Sequence, residues 1–239
     1  MIDFLSDLPR VGVTWLKRFP FLYDVARHQV YSRLRTFKRH GIFRDIYVNN
    51  SWDGASSVSG IGSSLDATEL IRAELPLVIE KLQIKSLLDI PCGDFHWMQN
   101  VNLKIDRYIG ADIVPELIAE NIRHYPKAGE FIRLDLIKDR LPSVDAIFCR
   151  DCLVHLSLRE VRRALRNIKA SAPKYLMTTT FPECLENIDT VTPYWRPLNL
   201  EIAPFHFPKP LISIRDFSVN LRTDQGKHLG IWRSTDLLL

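Results

Sequence analysis

From residue 86 onward the chain alternates short apolar runs with amphipathic segments, and this alternation limits the possible folds more than any other feature of the sequence. "SLLDI", "RYIGAD", "EFIRLDL", "VDAIFCRD" and "KYLMTTTF" have the length and composition of buried strands. "HWMQNV" reads as a brief helix; "VPELIAENIRHY", with Pro115 in its first turn, and "SLREVRRALRNIKAS" carry apolar residues at helical spacing. Strands joined by helices build a parallel sheet covered on both faces, an α/β doubly wound core. "KHLGIWRSTDL" adds a last strand. Segment 186–211, with prolines and aromatics but no sustained period, reads as an irregular cover, since proline is excluded from central strands.

Upstream, the first 45 residues read as helical, most clearly "YDVARHQVYSRLRTFKRHG" with a glycine stop, and residues 46–65 as a loop of small polar residues. "LDATELIRAELPLVIEKLQI" has the pattern of a helix opened by an Asp66 and Glu69 capping box and interrupted at Pro76. The chain thus divides into an N-terminal helical extension with its linker, 1–65, and a domain at 66–239. A chain of 239 residues, 46% hydrophobic, can bury one substantial core.

The net charge of +4 is concentrated. Between Arg10 and Arg44 there are nine Lys and Arg against one acid, Asp24; the remainder carries 23 bases and 27 acids. Interleaved with Trp15, Phe19 and Phe21, residues 10–44 fit a helical cap with a solvated face, or a basic amphipathic element for peripheral contact with a membrane, RNA or an anionic ligand. No run of about 18 apolar residues exists and the opening lacks a signal-peptide pattern, so a cytoplasmic location is expected. Cys92, Cys149, Cys152 and Cys184 are expected to be reduced thiols; Cys149 and Cys152 form a C-x-x-C, but the other spacings do not match paired metal knuckles and no metal is expected.

In open α/β sheets, ligands bind beyond the carboxyl ends of the strands. The first strand is followed by Asp89, Pro91, Cys92, Gly93, Asp94 and Trp97, the second by Asp112, the third by Asp135, and the fourth by Arg150, Asp151 and His155. A dinucleotide site needs several glycines to bring backbone to a pyrophosphate. Here the single glycine precedes an aspartate, which repels phosphate and suits a ligand bearing an ammonium group or hydroxyls. Asp112 lies 23 residues beyond Asp89, where a βαβ unit places a carboxylate on ribose hydroxyls.

"LLDIPCGDFHW", "YIGADI", "FIRLDL" and "DAIFCRDCLVHLS" together resemble the successive motifs of the class I S-adenosylmethionine-dependent methyltransferases, over residues 60–181. The resemblance implies a Rossmann-like seven-stranded sheet with an antiparallel last strand, and S-adenosyl-L-methionine as cofactor. It also implies Asp89 and Gly93 under the methionine portion, Asp112 on the ribose, Asp135 or Leu136 at the adenine, and Cys149 and Arg150 at the methionine end. The family's glycine-rich first loop is reduced here to "PCGDFHW".

The residues themselves agree with such a ligand. It has no phosphate, so Asp89 and Asp94 are acceptable; its carboxylate needs a donor, for which "SGIGSS" with Arg72 is the nearest candidate, the other reading being a plain linker. Methyl transfer to an alcohol also needs a base. His155, with Asp151 four residues earlier on one helical face, is the candidate; the competing reading makes Asp151 a helix cap and His155 a packing residue. Trp97 stands to stack on a ligand or belong to the core. Trp195, Arg196 and Asn199 offer an aromatic plate, a fork-shaped cation and an amide suited to a sugar or anionic acceptor, or else a structural loop. The expected function is methyl transfer to a small-molecule acceptor, at oxygen, with a sugar or glycan as one candidate. Its rivals are a nicotinamide-dependent dehydrogenase, a methyltransferase of RNA or protein, and a non-catalytic module docking through the basic segment.

Overall fold

Strand residues of opposite parity enter opposite cores. Leu87, Phe148, Met177 and Ile231 belong to one apolar cluster, whereas their neighbours Leu88, Ile147, Leu176 and Trp232 belong to the other. That period of two places a sheet between two helical layers. In the computed structural model, which describes residues 39–216 and 226–237, the sheet has seven strands. They are β1 (Ser86–Asp89), β2 (Arg107–Asp112), β3 (Glu130–Arg133), β4 (Ala146–Cys149), β5 (Tyr175–Thr180), β6 (Ile212–Arg215) and β7 (His228–Arg233). Their order is β3-β2-β1-β4-β5-β7-β6. Neighbours among β1 to β5 are parallel, and β7 runs antiparallel to both β5 and β6.

Among the described residues four α-helices accompany the sheet: α1 (Arg39–Val48), α2 (Glu69–Lys81), α3 (Pro115–His124) and α4 (Leu158–Ala170). α2 and α3 present Ile71, Leu75, Val78, Ile79 and Ile118 to one cluster, and α4 presents Val161, Ala164, Leu165 and Ile168 to the other. α4 starts where Ser157 caps it: its Oγ accepts the Glu160 N–H at 3.3 Å and donates back to the Glu160 carboxylate at 3.0 Å.

Four local expectations are corrected. α1 runs through Gly41 to Val48 rather than stopping at the glycine. α2 begins at Glu69 without an Asp66 capping box, because Ser64 organises the preceding turn, its Oγ accepting the Ala67 N–H and its carbonyl the Thr68 hydroxyl. α2 also continues through Pro76: four buried side chains outweigh the one backbone bond that the proline ring removes. Finally, β6 was not among the strands read from the pattern, its four residues following a proline-rich stretch that reads as loop.

The described residues belong to one compact unit that starts at Arg39, so residues 39–65 pack with the sheet. Most of the basic 10–44 segment lies outside the described residues. Within its described part, Arg44 pairs with Glu116 and Arg39 with Asp135 and Glu160. No helix among the described residues is long and apolar enough to cross a membrane.

Leu165 is fully buried and Leu77 is 59% exposed. Leu165→Ala is therefore expected to lower stability by about 2–5 kcal/mol in urea unfolding and Leu77→Ala by less than about 1 kcal/mol.

Candidate active site

The strand order reverses between β1 and β4, and the connections leaving their carboxyl ends diverge, one through a short turn at Met98–Asn100 to β2 and the other toward α4. A cavity of about 540 Å³ opens there, in the size range of small-molecule sites. The loop after β1 forms its floor. Gly93 holds φ +56°, and a Cβ on it would stand 2.3 Å from Ser59 Oγ, so only glycine fits this loop against the 57–59 segment. Asp94 fastens the two together: its carboxylate accepts from Ser57 Oγ and Val58 N, both at 3.0 Å, and from His96 N at 3.3 Å. Asp94 lines the cavity, yet its oxygens are occupied by protein donors.

Asp89 and Asp112, at the ends of β1 and β2, are both buried on the cavity wall. Burial pushes Asp89 up to about 7, partly offset by the Tyr108 hydroxyl donating at 2.5 Å. Burial likewise pushes Asp112 up to about 6, against hydrogen bonds from Val114 N at 3.0 Å and Gly93 N at 3.3 Å. Two carboxylates kept from solvent with few donors accommodate hydroxyl or cationic groups and exclude phosphate. Asp135 and Leu136 line the wall beyond β3, but both Asp135 oxygens accept from Arg39 Nη2, at 2.9 and 2.7 Å.

Beyond β4 the chain turns sharply. Asp151 has φ +52°, a conformation strained for a side-chain-bearing residue, and its N–H donates to Thr179 Oγ1 at 2.8 Å. Arg150 forms a bidentate pair with Asp216 at 2.8 and 2.9 Å, donates to Gly62 O at 2.9 Å, and lies 5.3 Å from the Trp97 ring centroid. Asp151 Oδ2 is held by Lys227 Nζ at 2.5 Å and Arg150 Nη1 at 3.2 Å, and these cations hold its carboxyl below the ordinary carboxylate value against the partial desolvation of the site. A short 3-10 turn, Leu153–His155, follows before α4. The expected helix beginning at Asp151 is therefore corrected: α4 starts at Leu158, and Asp151 and His155 do not stack at i, i+4.

His155 is instead oriented by the cover segment. Its Nδ1 lies 3.0 Å from Pro193 O, and because a carbonyl only accepts, Nδ1 carries the proton and Nε2 the lone pair of the neutral ring. Desolvation lowers its pKa from the ordinary value, keeping the imidazole neutral and competent as a base at pH 7. Trp52 packs over it with centroids 5.2 Å apart, and Trp195, 48% exposed, lines the same cavity.

Of the residues singled out from sequence, the cavity wall brings together Asp89, Gly93, Asp94, Trp97, Asp112, Asp135, Leu136, Arg150, Asp151, His155 and Trp195. Four others stand elsewhere, each for a visible reason. Arg72 donates to Leu65 O at 2.9 Å and Thr68 Oγ1 at 3.3 Å on its own helix and turn. Cys149 is a fully buried core residue of β4. Arg196 is buried with its guanidinium on the carbonyls of Leu153, Leu156 and Ile188, and Asn199 bonds the carbonyls of Pro182 and Cys184, so both staple the cover to the domain. Sequence reasoning missed Arg39, Trp52, Asp216 and Lys227. Trp52, a lone large aromatic in a run of small polar residues, was the one with a signal; the ion pairs depend on chain returns that leave no local pattern.

Because Asp89 holds its proton longer folded than unfolded, stability is expected to fall as pH rises from about 4 to about 7, Asp112 contributing only to about 6. Asp89→Asn should remove most of the slope above pH 6 in urea midpoints measured across that range.

No family model and no curated protein matches the chain. Solved structures do. The PH0226 protein from Pyrococcus horikoshii OT3 aligns over 72% of this chain and 92% of its own, with 13% identity and a TM-score of 0.50. The N-methyltransferase NodS from Bradyrhizobium japonicum WM9, solved with S-adenosyl-L-homocysteine, aligns over 57% of this chain and 73% of its own (14% identity, TM-score 0.47). CalS10, an amino pentose methyltransferase from Micromonospora echinaspora solved with S-adenosylmethionine, aligns over 48% of this chain (20% identity, TM-score 0.42). The match spans 51% of the CalS10 chain. At these identities the likeness concerns the backbone. With its strand order 3-2-1-4-5-7-6 and reversed β7, the chain has the Rossmann-like class I methyltransferase fold.

Proposed function

We propose that this protein is an S-adenosylmethionine-dependent methyltransferase that methylates a hydroxyl oxygen of a small-molecule acceptor. The observation that carries the reading is the pair of buried carboxylates, Asp89 and Asp112, at the ends of adjacent parallel strands on the wall of one cavity. Their chemistry fits the cofactor: Asp112 suits the ribose hydroxyls and Asp89 the methionine end, with Leu136, Ile137 and Val114 as apolar wall for the adenine. S-adenosylmethionine would supply a methyl group activated by its sulfonium centre, which leaves the protein to position the acceptor and accept its proton.

That proton acceptor is His155. Pro193 O fixes the tautomer so that Nε2 is the basic atom, and low solvation keeps the ring unprotonated until the acceptor arrives. Asp151, paired with Lys227 and Arg150, has no basicity near neutral pH and serves as a fixed anion beside it. Trp52 and Trp195 offer apolar faces to the acceptor. A sugar ring remains the finer reading of that acceptor, supported by these two indoles and the polar pair His155 and Asp151, without Arg196 and Asn199.

Calorimetric titration with S-adenosylhomocysteine should give binding to the wild type and at least a tenfold loss in Asp112→Ala, roughly the worth of hydrogen bonds to a charged group; absence of binding to the wild type sinks the proposal. His155→Gln should bind this ligand as the wild type does and transfer methyl about 10²–10⁴-fold more slowly. The wild-type acid limb of kcat/KM is expected below pH 6.5, since the His155 pKa is depressed from that value.

A further inference from the structure

Two residues next to the C-terminal strands lie outside every site motif of the sequence: Lys227 lines the cavity, and Asp216 lies buried behind it. Lys227, the residue before β7, is 3% exposed, and its Nζ lies 2.5 Å from Asp151 Oδ2 and 3.4 Å from Asp216 Oδ2. Asp216, the residue after β6, is fully enclosed and takes the bidentate Arg150. These four charges sum to zero, and a buried ion without its partner is strongly unfavourable, so they act as one unit. Within it the Asp151 oxygens are unequal. Oδ2 carries both cations, whereas among the described residues Oδ1 has a single long hydrogen bond, from Thr179 Oγ1 at 3.4 Å, and the side chain keeps 28% exposure at the cavity.

We propose that Lys227, steadied by Asp216, is a positioning residue: it anchors Asp151 Oδ2 in the left-handed turn, so that Oδ1 accepts a hydrogen bond from the methyl acceptor beside His155. The acceptor class is then one that presents a second donor, a hydroxyl or N–H, next to the hydroxyl that loses its proton. This role rests on the methyltransferase reading, but the anchoring is measurable in the ligand-free chain. The charged groups facing His155 are Asp151, Lys227 and Arg196, so loss of the Lys227 charge acts on both Asp151 and the imidazole.

The test is NMR titration of the Asp151 carboxyl and the His155 ring in the full chain, with calorimetry on S-adenosylhomocysteine alongside. In the wild type Asp151 should titrate well below 4; in Lys227→Met both midpoints should rise by about 0.5 pH unit or more, and Lys227→Arg should restore them. All three proteins should bind S-adenosylhomocysteine alike. A wild-type Asp151 midpoint at or above about 4 overturns the proposal even if Lys227→Met does not fold. So do unmoved midpoints in a folded Lys227→Met, or equal shifts in Lys227→Arg. Failure of the wild type to bind S-adenosylhomocysteine strikes the methyltransferase reading instead, and the titrations still decide the anchoring.

Discussion

The bidentate pair between Arg150 and Asp216 ties the carboxyl end of β4 to the end of β6, across the two intervening strands β5 and β7. Both side chains are buried, so neither is tolerable alone. Once they are joined, the rest of the floor follows. Arg150 is drawn beneath Gly62 and over Trp97, Asp151 is forced into its left-handed turn, and Lys227 enters as the second cation. Arg150, which the family resemblance places at the methionine end, lines the cavity and also clamps β4 to β6, while Asp151 meets both cations of this group through Oδ2.

The same economy of charge governs the opposite wall. Asp94 and Asp135 are filled by donors of the 57–59 segment and of α1, whereas Asp89 and Asp112 are left with few. The first pair holds residues 39–63 over the strand ends. The second pair is kept in a poorly solvated state whose cost, on the order of 1 kcal/mol or more per group, a ligand bearing hydroxyls or positive charge relieves. Acids at similar places in sequence therefore divide into those filled by protein donors and those left with few, according to what the tertiary structure brings against them.

Much of this architecture was legible because it is written locally. The strands from β1 to β5 and β7, and the helices α3 and α4, follow from apolar spacing, with Pro115 and Ser157 marking helix starts. β6 escaped because four residues after a proline-rich stretch carry too little pattern, and α2 defied Pro76 because packing against the sheet outweighs one lost backbone bond. In the site, the residues placed directly after strands reached the cavity. Arg196 and Asn199, chosen for chemical type within an irregular cover, did not, since buried loop carbonyls claimed their donors first.

The sequence by itself determined the doubly wound sheet, the carboxyl edge as the candidate site, and a first loop that carries aspartates and a single glycine. These rest on periodicity and on residue types within a few positions of one another. Only the tertiary structure decided which atom of His155 is basic, which oxygens of Asp151 and Asp94 are taken, and that Asp216 and Lys227 belong to the site at all. Those matters depend on hydrogen bonds and ion pairs between residues 35 to 88 positions apart, and burial makes each of them obligatory without leaving any trace in the local pattern.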